Sequence, residues 1–288
     1  MTTSNKKKYL TILIAMICAA SFIYWIYSRF HISTDDAYVN ANVIQIAPRV
    51  SGQVAHLYIK NNQLVKTGQV LFDLDPDLYQ VAVDQAKAKL VMSQAQQVFA
   101  QNTAARTMTL VKKQNMSAQE GDNAENNLQA AIAQVALDTA NLKQAELNLL
   151  YTVIRAPSDG WVTNVTLRVG DVVTQNQPLF ALISNNEFWL DANFKETDLQ
   201  YISPGQHADV YVDMYPGHKF TGIVESISGG SGSAFSLLPP ENATGNWVKV
   251  TQRVPVRIQI IDTDTTFPLR IGTSGTTTIH INPWKKNK

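Results

Sequence analysis

The fold is decided by a stretch that the chain contains twice. Residues 46–72 read IAPRVSGQVAHLYIKNNQLVKTGQVLF, and residues 154–180 read IRAPSDGWVTNVTLRVGDVVTQNQPLF. From Gly52 and Gly160 onward the two copies keep a constant offset of 108 positions. Apolar residues then match in pairs: Val54 and Val162, Leu57 and Val165, Ile59 and Leu167, Val65 and Val173, Leu71 and Leu179, Phe72 and Phe180, Leu74 and Leu182. The chain therefore contains an internal repeat.

Each copy of the repeat has the pattern of short β-strands. Apolar and polar residues alternate through VAHLYI and VTNVTL, and Gly68 and Gly170 mark turns. Two or three short strands are only marginally stable alone in water. The two copies are therefore predicted to pack on each other as one small β-sandwich, with its halves at residues 44–75 and 152–184.

The residues between the copies, 76–151, have a helical composition. Asp75 and Pro76 are typical of a helix start, and neither glycine nor proline recurs before Lys113. A break is predicted at QNMSAQEGDN, where Gly121 and Asp122 lie. A second helix is expected from about residue 123 to residue 151.

The second predicted helix carries a heptad repeat, with apolar residues at Leu128, Val135, Leu142 and Leu149. This spacing is typical of a coiled-coil seam. Residues 76–151 are therefore expected to form an antiparallel coiled-coil hairpin. With about 30 to 38 residues in each arm, the hairpin would be about 45 to 55 Å long.

The N-terminus carries a candidate membrane anchor at residues 9–28, after a short tail at residues 1–8. The run from Tyr9 to Tyr27 contains no charge and would span about 28 Å as a helix. Lysines 6–8 precede the run, and only Arg29 follows closely, which predicts a cytoplasmic N-terminus. A cleaved signal peptide and a lipidated Cys18 are the alternatives. The small residues of a cleavage site are followed by more apolar sequence, and Ile17 is not the small residue that lipidation requires.

Residues 185–284 have the pattern of a small β-barrel. Short alternating segments such as ADVYVDMY and FTGIVESI are separated by turn signals, and KETDLQYI predicts a short helix. The segment 229–246, GGSGSAFSLLPPENATGN, mixes glycine and serine with apolar Phe235, Leu237 and Leu238. Such a segment is either a flexible loop or a loop that binds a partner.

The composition argues against several classes of function. The net charge of +1 does not favour nucleic-acid binding, because a surface that binds nucleic acid needs clustered lysine and arginine. The five histidines lack zinc spacing, and DLDPDL at residues 73–78 lacks the glycine and glutamate of a calcium loop. No nucleotide-binding or hydrolase motif is present. Neither an enzymatic activity nor a cofactor or metal is predicted.

The two repeats resemble the halves of biotinyl and lipoyl carrier domains. In those carriers a tight hairpin with the modified lysine joins the halves, whereas here residues 76–151 take its place. The order of anchor, half-domain, hairpin, half-domain and barrel resembles the HlyD-type membrane fusion proteins. The stretches TDDAYVNANVIQIAPRVSG, DANFKETDL and GSGSAFSLLPPENATGNWVKVTQRVPVRI are similar to the EmrA-like multidrug-efflux branch. NNQLVKTGQVLF and TVIRAPSDGWVTN are also similar to adaptors that export aromatic carboxylic acids.

The resemblance implies a periplasmic adaptor of a tripartite efflux pump that exports drugs or other small toxic compounds. Its partners would be an inner-membrane transporter of the major facilitator type, a TolC-type outer-membrane channel, and further copies of itself in a trimer or hexamer. Arg106, Leu110 and Ser117 resemble the channel-docking motif of such adaptors. The alternative is a charged, solvated turn in which Ser117 caps a helix. Phe235, Leu237 and Leu238 would contact the transporter or a neighbouring subunit. Aromatic acid export and a channel-free structural coiled-coil protein stay open as alternatives.

Overall fold

The computed structural model describes residues 13–14, 16–18, 31–235, 249–262 and 266–281. Residues 13–14 and 16–18 are helical, and the rest of the predicted anchor at 9–28 lies outside the described residues. Among the residues that are described, no helix has the length and apolar character needed to cross a bilayer. The chain divides into two compact units, one at Val43–Ser184 and one made of the residues on either side of it.

The unit at Val43–Ser184 contains both copies of the repeat as short strands. Its strands include β2 (Gly52–Leu57), β3 (Leu64–Val65), β4 (Val70–Leu74), β5 (Val153–Arg155), β6 (Gly160–Thr163) and β7 (Val172–Val173). The last residues of β1 (His31–Ile46) and the first of β8 (Phe180–Lys195) complete it. One sheet has the order β5-β4-β2-β7, and in the other β6 lies between β8 and β3.

The strand register reproduces the 108-residue offset. Gly52 lies opposite Val173 in the β2–β7 pair, and Gly160 lies opposite Val65 in the β3–β6 pair. Val54 pairs with Leu74 in the same way that Val162 pairs with Leu182. Each copy therefore donates a strand to the sheet of the other copy, and the two copies are related by a pseudo-twofold axis.

One hydrophobic core serves both copies. Matched pairs of repeat residues are each less than 9% exposed: Val54 and Val162, Ile59 and Leu167, Val65 and Val173, Phe72 and Phe180, Leu74 and Leu182. The rings of Phe72 and Phe180 meet edge to face with centroids 6.0 Å apart. Burying these side chains removes from water the apolar surface that neither copy could bury alone.

The turns show where the two copies differ. Gly68 and Gly170 both have positive φ, at 79° and 96°, but they are not equivalent positions. The counterpart of Gly68 is Asn176 at 61°, and the counterpart of Gly170 is Asn62 at 60°. Asparagine is among the few residues other than glycine that adopt this left-handed region readily. The sequence of each turn has changed while its backbone conformation is kept.

The inserted residues form two long helices, α1 (Asp77–Lys112) and α2 (Ala118–Leu150). α1 begins one residue after the expected Pro76, and the Asp75 carboxylate accepts the Asp77 N–H at 3.0 Å. Nine less exposed residues of α2 follow the heptad repeat over the whole helix, at 121, 124, 128, 131, 135, 138, 142, 145 and 149. Leu147 and Asn148, near the end of the helix, are also less exposed. The hairpin is therefore an antiparallel coiled coil.

The expected start of α2 near Asn123 is wrong, because α2 begins at Ala118 and contains Gly121. Ser117 and Glu120 form a capping box that starts the helix upstream of the glycine. A Cβ atom at position 121 would lie 3.3 Å from Val111 Cγ2 and 3.5 Å from Met108 Sδ. Gly121 therefore serves the close approach of the two helices and does not break the second one.

The other unit is a β-barrel. It contains β1 and the second part of β8, together with β9 (His207–Val212), β10 (Phe220–Ile227), β11 (Arg253–Ile260) and β12 (Ser274–His280). The strand order is β1-β12-β9-β10-β11-β8, and pairing of β1 with β8 closes the sheet. The barrel predicted at 185–284 did not include β1. This strand belongs to the barrel because it pairs with β12, beginning with His31 opposite His280. The helix expected at KETDLQYI is a single 3₁₀ turn, Leu199–Tyr201.

Candidate functional site

The tip of the hairpin is a short turn between α1 and α2. The carbonyl oxygen of Leu110 accepts the N–H groups of Lys113 and Asn115, at 3.1 and 3.0 Å. Gln114 takes a positive φ of 60°, which reverses the chain. These bonds satisfy carbonyl groups that the end of α1 would otherwise leave unpaired. The tip is therefore an ordered turn on which side chains can be displayed.

Two of the three predicted docking residues lie on one side of α1. Arg106 and Leu110 are four residues apart, which places them one turn apart on the same helix face. Both side chains are exposed, and Leu110 keeps 40% of its surface in contact with solvent. The pair presents an apolar side chain beside a guanidinium group, and that combination suits a helical partner with apolar and acidic or carbonyl groups.

Ser117 lies across the turn from that pair and caps α2. Its N–H donates to Glu120 Oε2 at 2.9 Å, and its Oγ accepts the Glu120 N–H at 3.3 Å. The hydroxyl hydrogen is also directed at Glu120 Oε2, 2.9 Å away. These bonds from the backbone and hydroxyl of Ser117 hold the pKa of the Glu120 carboxyl below its usual value. Ser117 is therefore the N-cap of α2, as the alternative interpretation predicted.

The seam of the hairpin contains a polar layer that the heptad analysis did not predict. Asp138 occupies a seam position on α2 and is 2% exposed. Ser93 on α1 is also buried, at 3% exposed. Gln134 Nε2 donates to Asp138 Oδ2 at 3.1 Å, and this bond is the main reason that the pKa of Asp138 is lowered. Ser93, Lys89 and Asn141 act in the same direction. A single buried polar layer of this kind favours one register between the two helices.

The base of the hairpin is tied to the sandwich through two tyrosines. The Tyr79 hydroxyl donates to the carbonyl oxygen of Ser51 at 2.6 Å. The guanidinium of Arg49 lies 4.9 Å from the ring centroid of Tyr151, the C-cap residue that follows α2. Both tyrosines also pack against the core of the sandwich. These contacts fix the direction in which the helices leave the repeat.

The second predicted contact segment follows β10 in the barrel. Phe235 ends a 3₁₀ turn, Gly232–Phe235, while its side chain and residues Leu237 and Leu238 lie outside the described residues. Ser233 Oγ donates to Gln252 Oε1 at 2.6 Å and so joins the two ends of the segment. The end of β10 and the start of β11 flank this segment. The antiparallel pairings place both of them at the end of the barrel where β1 starts at His31.

The described part of the chain offers no cluster of three or more histidine, cysteine, aspartate or glutamate side chains that could hold a metal ion. The carboxyl groups of Glu120 and Asp138 have a lowered pKa mainly because of hydrogen bonds within the hairpin. The exposed side chains of Arg106 and Leu110 at the hairpin tip form a surface that suits contact with another protein.

Comparison with known proteins identifies both units. Residues 42–185 match the family model described as "RND MFP, barrel-sandwich hybrid domain", and residues 187–282 match "AAEA-like beta-barrel domain". The fold is also similar to that of the membrane fusion protein Spr0693 from Streptococcus pneumoniae, with a TM-score of 0.63 at 18% identity. That similarity covers 90% of this chain and 99% of the other.

Two curated relatives are similar over most of their length. The multidrug export protein EmrA of Haemophilus influenzae is 34% identical, over 97% of this chain and 85% of the relative. The fatty acid resistance protein FarA of Neisseria gonorrhoeae is 36% identical, over 84% of this chain and 74% of the relative. The chain therefore belongs to the HlyD-type membrane fusion protein family of periplasmic adaptors, in its EmrA-like branch.

Proposed function

We propose that this chain is the periplasmic adaptor of a tripartite efflux pump. It would link an inner-membrane transporter to a TolC-type outer-membrane channel and support the export of drugs or other small toxic compounds. The observation that carries the proposal is the split repeat. The two copies share one hydrophobic core, and the residues between them form a coiled-coil hairpin. The base of the hairpin is fixed to the sandwich and its tip is exposed, so the tip can contact a partner at a distance from the sandwich.

The orientation follows from the predicted anchor. Residues 9–28 would span the inner membrane with residues 1–8 in the cytoplasm, so that the rest of the chain lies in the periplasm. Three residues separate the end of the apolar run from His31, so the barrel end that begins with β1 would lie within about 15 Å of the bilayer. Phe235, Leu237 and Leu238 belong to the segment that leaves this end, and we assign them to contact with the transporter, of the major facilitator type.

The hairpin tip would meet the channel. Helices of 36 and 33 residues reach about 50 Å, which carries the tip well away from the sandwich. Leu110 would insert between channel helices while Arg106 and Ser117 donate hydrogen bonds at its sides. Several adaptors, as a trimer or hexamer, would surround the channel end.

The class of exported compound is inferred from the names of two relatives. One relative is named for multidrug export and another for fatty acid resistance, so we infer apolar or amphipathic small compounds as the exported class. Selectivity would lie mainly in the transporter. Purification of the tagged adaptor from gently solubilised membranes, with identification of the co-eluting transporter, would define the cargo class.

The test of the docking role is the double variant Arg106→Asp/Leu110→Asp. It places carboxylates where the proposal needs a cation and an apolar side chain, and we expect drug export to fall to the level of a strain without the adaptor. The matched control is Gln119→Asp, which adds a charge at the tip in the first turn of α2, where an acid suits the helix dipole. Full export by a folded, membrane-bound double variant would exclude the docking role.

A further inference from the structure

The start of β1 and the end of β12 meet at one end of the barrel. His31, the first residue of β1, lies opposite His280, the last residue of β12. Their rings meet edge to face with centroids 5.0 Å apart. Ile281 is 8% exposed, so the chain stays packed on the barrel up to that residue. The residues before β1 and those after Ile281 are therefore joined to the barrel at neighbouring points.

Three histidines form a row on the outer surface at this end of the barrel. In the register of β12 and β9, Ile279 lies opposite Ala208. The same register places His280 opposite His207, while His31 flanks His280 on β1. Ile279 and Ala208 are both 0% exposed, and side chains alternate along a strand, so the histidines point outward. Imidazole N–H groups can donate hydrogen bonds to phosphate oxygens.

The carboxylate beside this row is paired with a lysine. Asp209 Oδ2 lies 3.2 Å from His280 Nε2, and Asp209 Oδ1 lies 3.4 Å from Lys219 Nζ. The positive charge of Lys219 offsets the negative charge of the carboxylate at this distance. Asp209 therefore repels an anion near the histidine row only weakly.

The sequence that follows Ile281 is basic and contains a tryptophan. Residues 282–288 read NPWKKNK, and we call them the basic segment. Tryptophan is enriched where a membrane meets water, and lysine is attracted to anionic phospholipid headgroups. Seven extended residues span about 23 Å, which exceeds the distance of about 15 Å between this barrel end and the bilayer.

We infer that the basic segment binds anionic phospholipids of the inner membrane beside the predicted anchor. Its lysines would meet the lipid phosphates, the ring of Trp284 would lie among the headgroups, and the histidine row would supply further hydrogen-bond donors. A single helix joined to β1 by three residues holds the barrel at one point, and the lipid contact would hold it at a second. The inference rests on the proposed function for one point only, the position of the start of β1 at the periplasmic face of the membrane.

Spin labelling of the full-length adaptor in nanodiscs tests the contact. In a Cys18→Ser background, Asn287→Cys carries a nitroxide label, and the nanodiscs contain either phosphatidylcholine alone or equal parts of phosphatidylcholine and phosphatidylglycerol. We expect the label to be immobilised in the anionic mixture and mobile in phosphatidylcholine. The control label is Asp262→Cys, which is exposed after β11 at the opposite end of the barrel and should give the same spectrum in both.

A charge variant measures the contribution of the lysines. Lys285→Gln/Lys286→Gln/Lys288→Gln removes three charges that each strengthen binding about fivefold, so the ratio of immobilised to mobile label should fall on the order of 100-fold. The matched control is Lys112→Gln/Lys113→Gln/Lys143→Gln, which removes the same charge from the hairpin and should leave the ratio unchanged. An equal fall in both triple variants would contradict binding through the basic segment.

The remaining outcomes separate this inference from the proposed function, because neither the transporter nor the channel is present. Equal immobilisation in both kinds of nanodisc would show that the segment packs on the barrel, and immobilisation only after addition of the transporter would assign it to a protein partner. Either result would overturn the inference. A label that stays mobile in the anionic mixture, on an adaptor held by the nanodisc, would remove only the lipid contact. An adaptor that does not stay with the nanodisc would remove the predicted anchor and this inference with it.

Discussion

Val65 of the first repeat lies opposite Gly160 of the second, in the pair of strands β3 and β6. The equivalent relationship on the other side of the sandwich joins Val173 to Gly52. The repeat therefore exchanges strands between its copies, so neither copy has a complete sheet without the other. This exchange explains why residues more than 70 positions apart can share one core although two long helices are inserted between them.

The first prediction concerns the two glycines of this exchange. A Cβ atom at position 160 would lie 2.2 Å from the carbonyl oxygen of Ile183, whereas one at position 52 would meet Leu74 Cβ at an ordinary 3.4 Å. Gly160→Ala should therefore lower the free energy of unfolding by about 2 kcal/mol or more, because backbone in β8 must move. Gly52→Ala should change it by less than about 0.5 kcal/mol. Chemical denaturation of the chain without residues 1–28 measures both, and equal effects would contradict the described register.

The second prediction concerns pH. Asp159 Oδ1 accepts the N–H and the hydroxyl of Thr67, at 2.6 and 2.7 Å, and these bonds lower the pKa of the Asp159 carboxyl. A carboxyl with a lowered pKa in the folded state stabilises the fold above its ordinary pKa, about 3.9. That contribution to stability is lost as the pH falls through the pKa that Asp159 has in the folded state.

The equivalent turn supplies the matched variant. Ser51 stands at the position of Asp159 in the other copy, and its Oγ accepts the Gln175 N–H at 3.0 Å. Asp159→Ser should therefore keep an acceptor for the turn while it removes the ionisable group. We expect the melting temperature of this variant to fall less steeply below about pH 4 than that of the parent. Identical pH profiles of parent and variant would show that Asp159 plays no part in acid sensitivity.

The third prediction separates the two roles of Ser117. Ser117→Ala removes the capping box and should destabilise α2 by about 1 kcal/mol. Ser117→Asp should keep the stability near the parent value, because aspartate is as good an N-cap as serine. Aspartate cannot donate a hydroxyl hydrogen bond to a channel. Loss of export in the aspartate variant with unchanged thermal stability would support docking through the hydroxyl, and full export would limit Ser117 to its cap.

The fourth prediction concerns the segment after β10. Leu237→Asp/Leu238→Asp should reduce drug export because the proposal places these side chains against the transporter. The barrel should stay folded, since Ser233 and Gln252 still join the two ends of the segment. The measurements are drug susceptibility and the amount of transporter that co-purifies with the adaptor. Unchanged values of both would remove the contact that we assign to Phe235, Leu237 and Leu238.

Much of the repeat unit could be predicted from local patterns. The 108-residue offset identified the paired core residues, because alternation and burial follow directly from strand geometry. Asp75 and Pro76 predict the start of α1 to within one residue, and the absence of glycine and proline predicts that it extends to about Lys113. The predicted start of α2 is wrong because Gly121 favours a break in the helix, whereas Ser117 and Glu120 have the spacing of a capping box that starts the helix earlier.

Other features depend on contacts that no local pattern contains. β1 joins the barrel by pairing His31 with His280, at the far end of the chain, and the alternation of residues 31–46 does not identify that partner. Asp138 could have been noticed, since it falls on a seam position of the same heptad as Leu142 and Val135. Its burial depends on Ser93 and Gln134, and heptad counting alone does not show that they satisfy its carboxylate.

Photocrosslinking from position 110 in living cells would show whether the hairpin tip meets an outer-membrane channel. A photoreactive amino acid replaces Leu110 in the full-length adaptor, and the same residue at Gln94, halfway along α1 and exposed, serves as the control. We predict a covalent adduct between position 110 and a TolC-type channel protein, with none from position 94. An export-competent adaptor that forms no channel adduct from position 110, or forms it equally from position 94, would exclude docking through the tip.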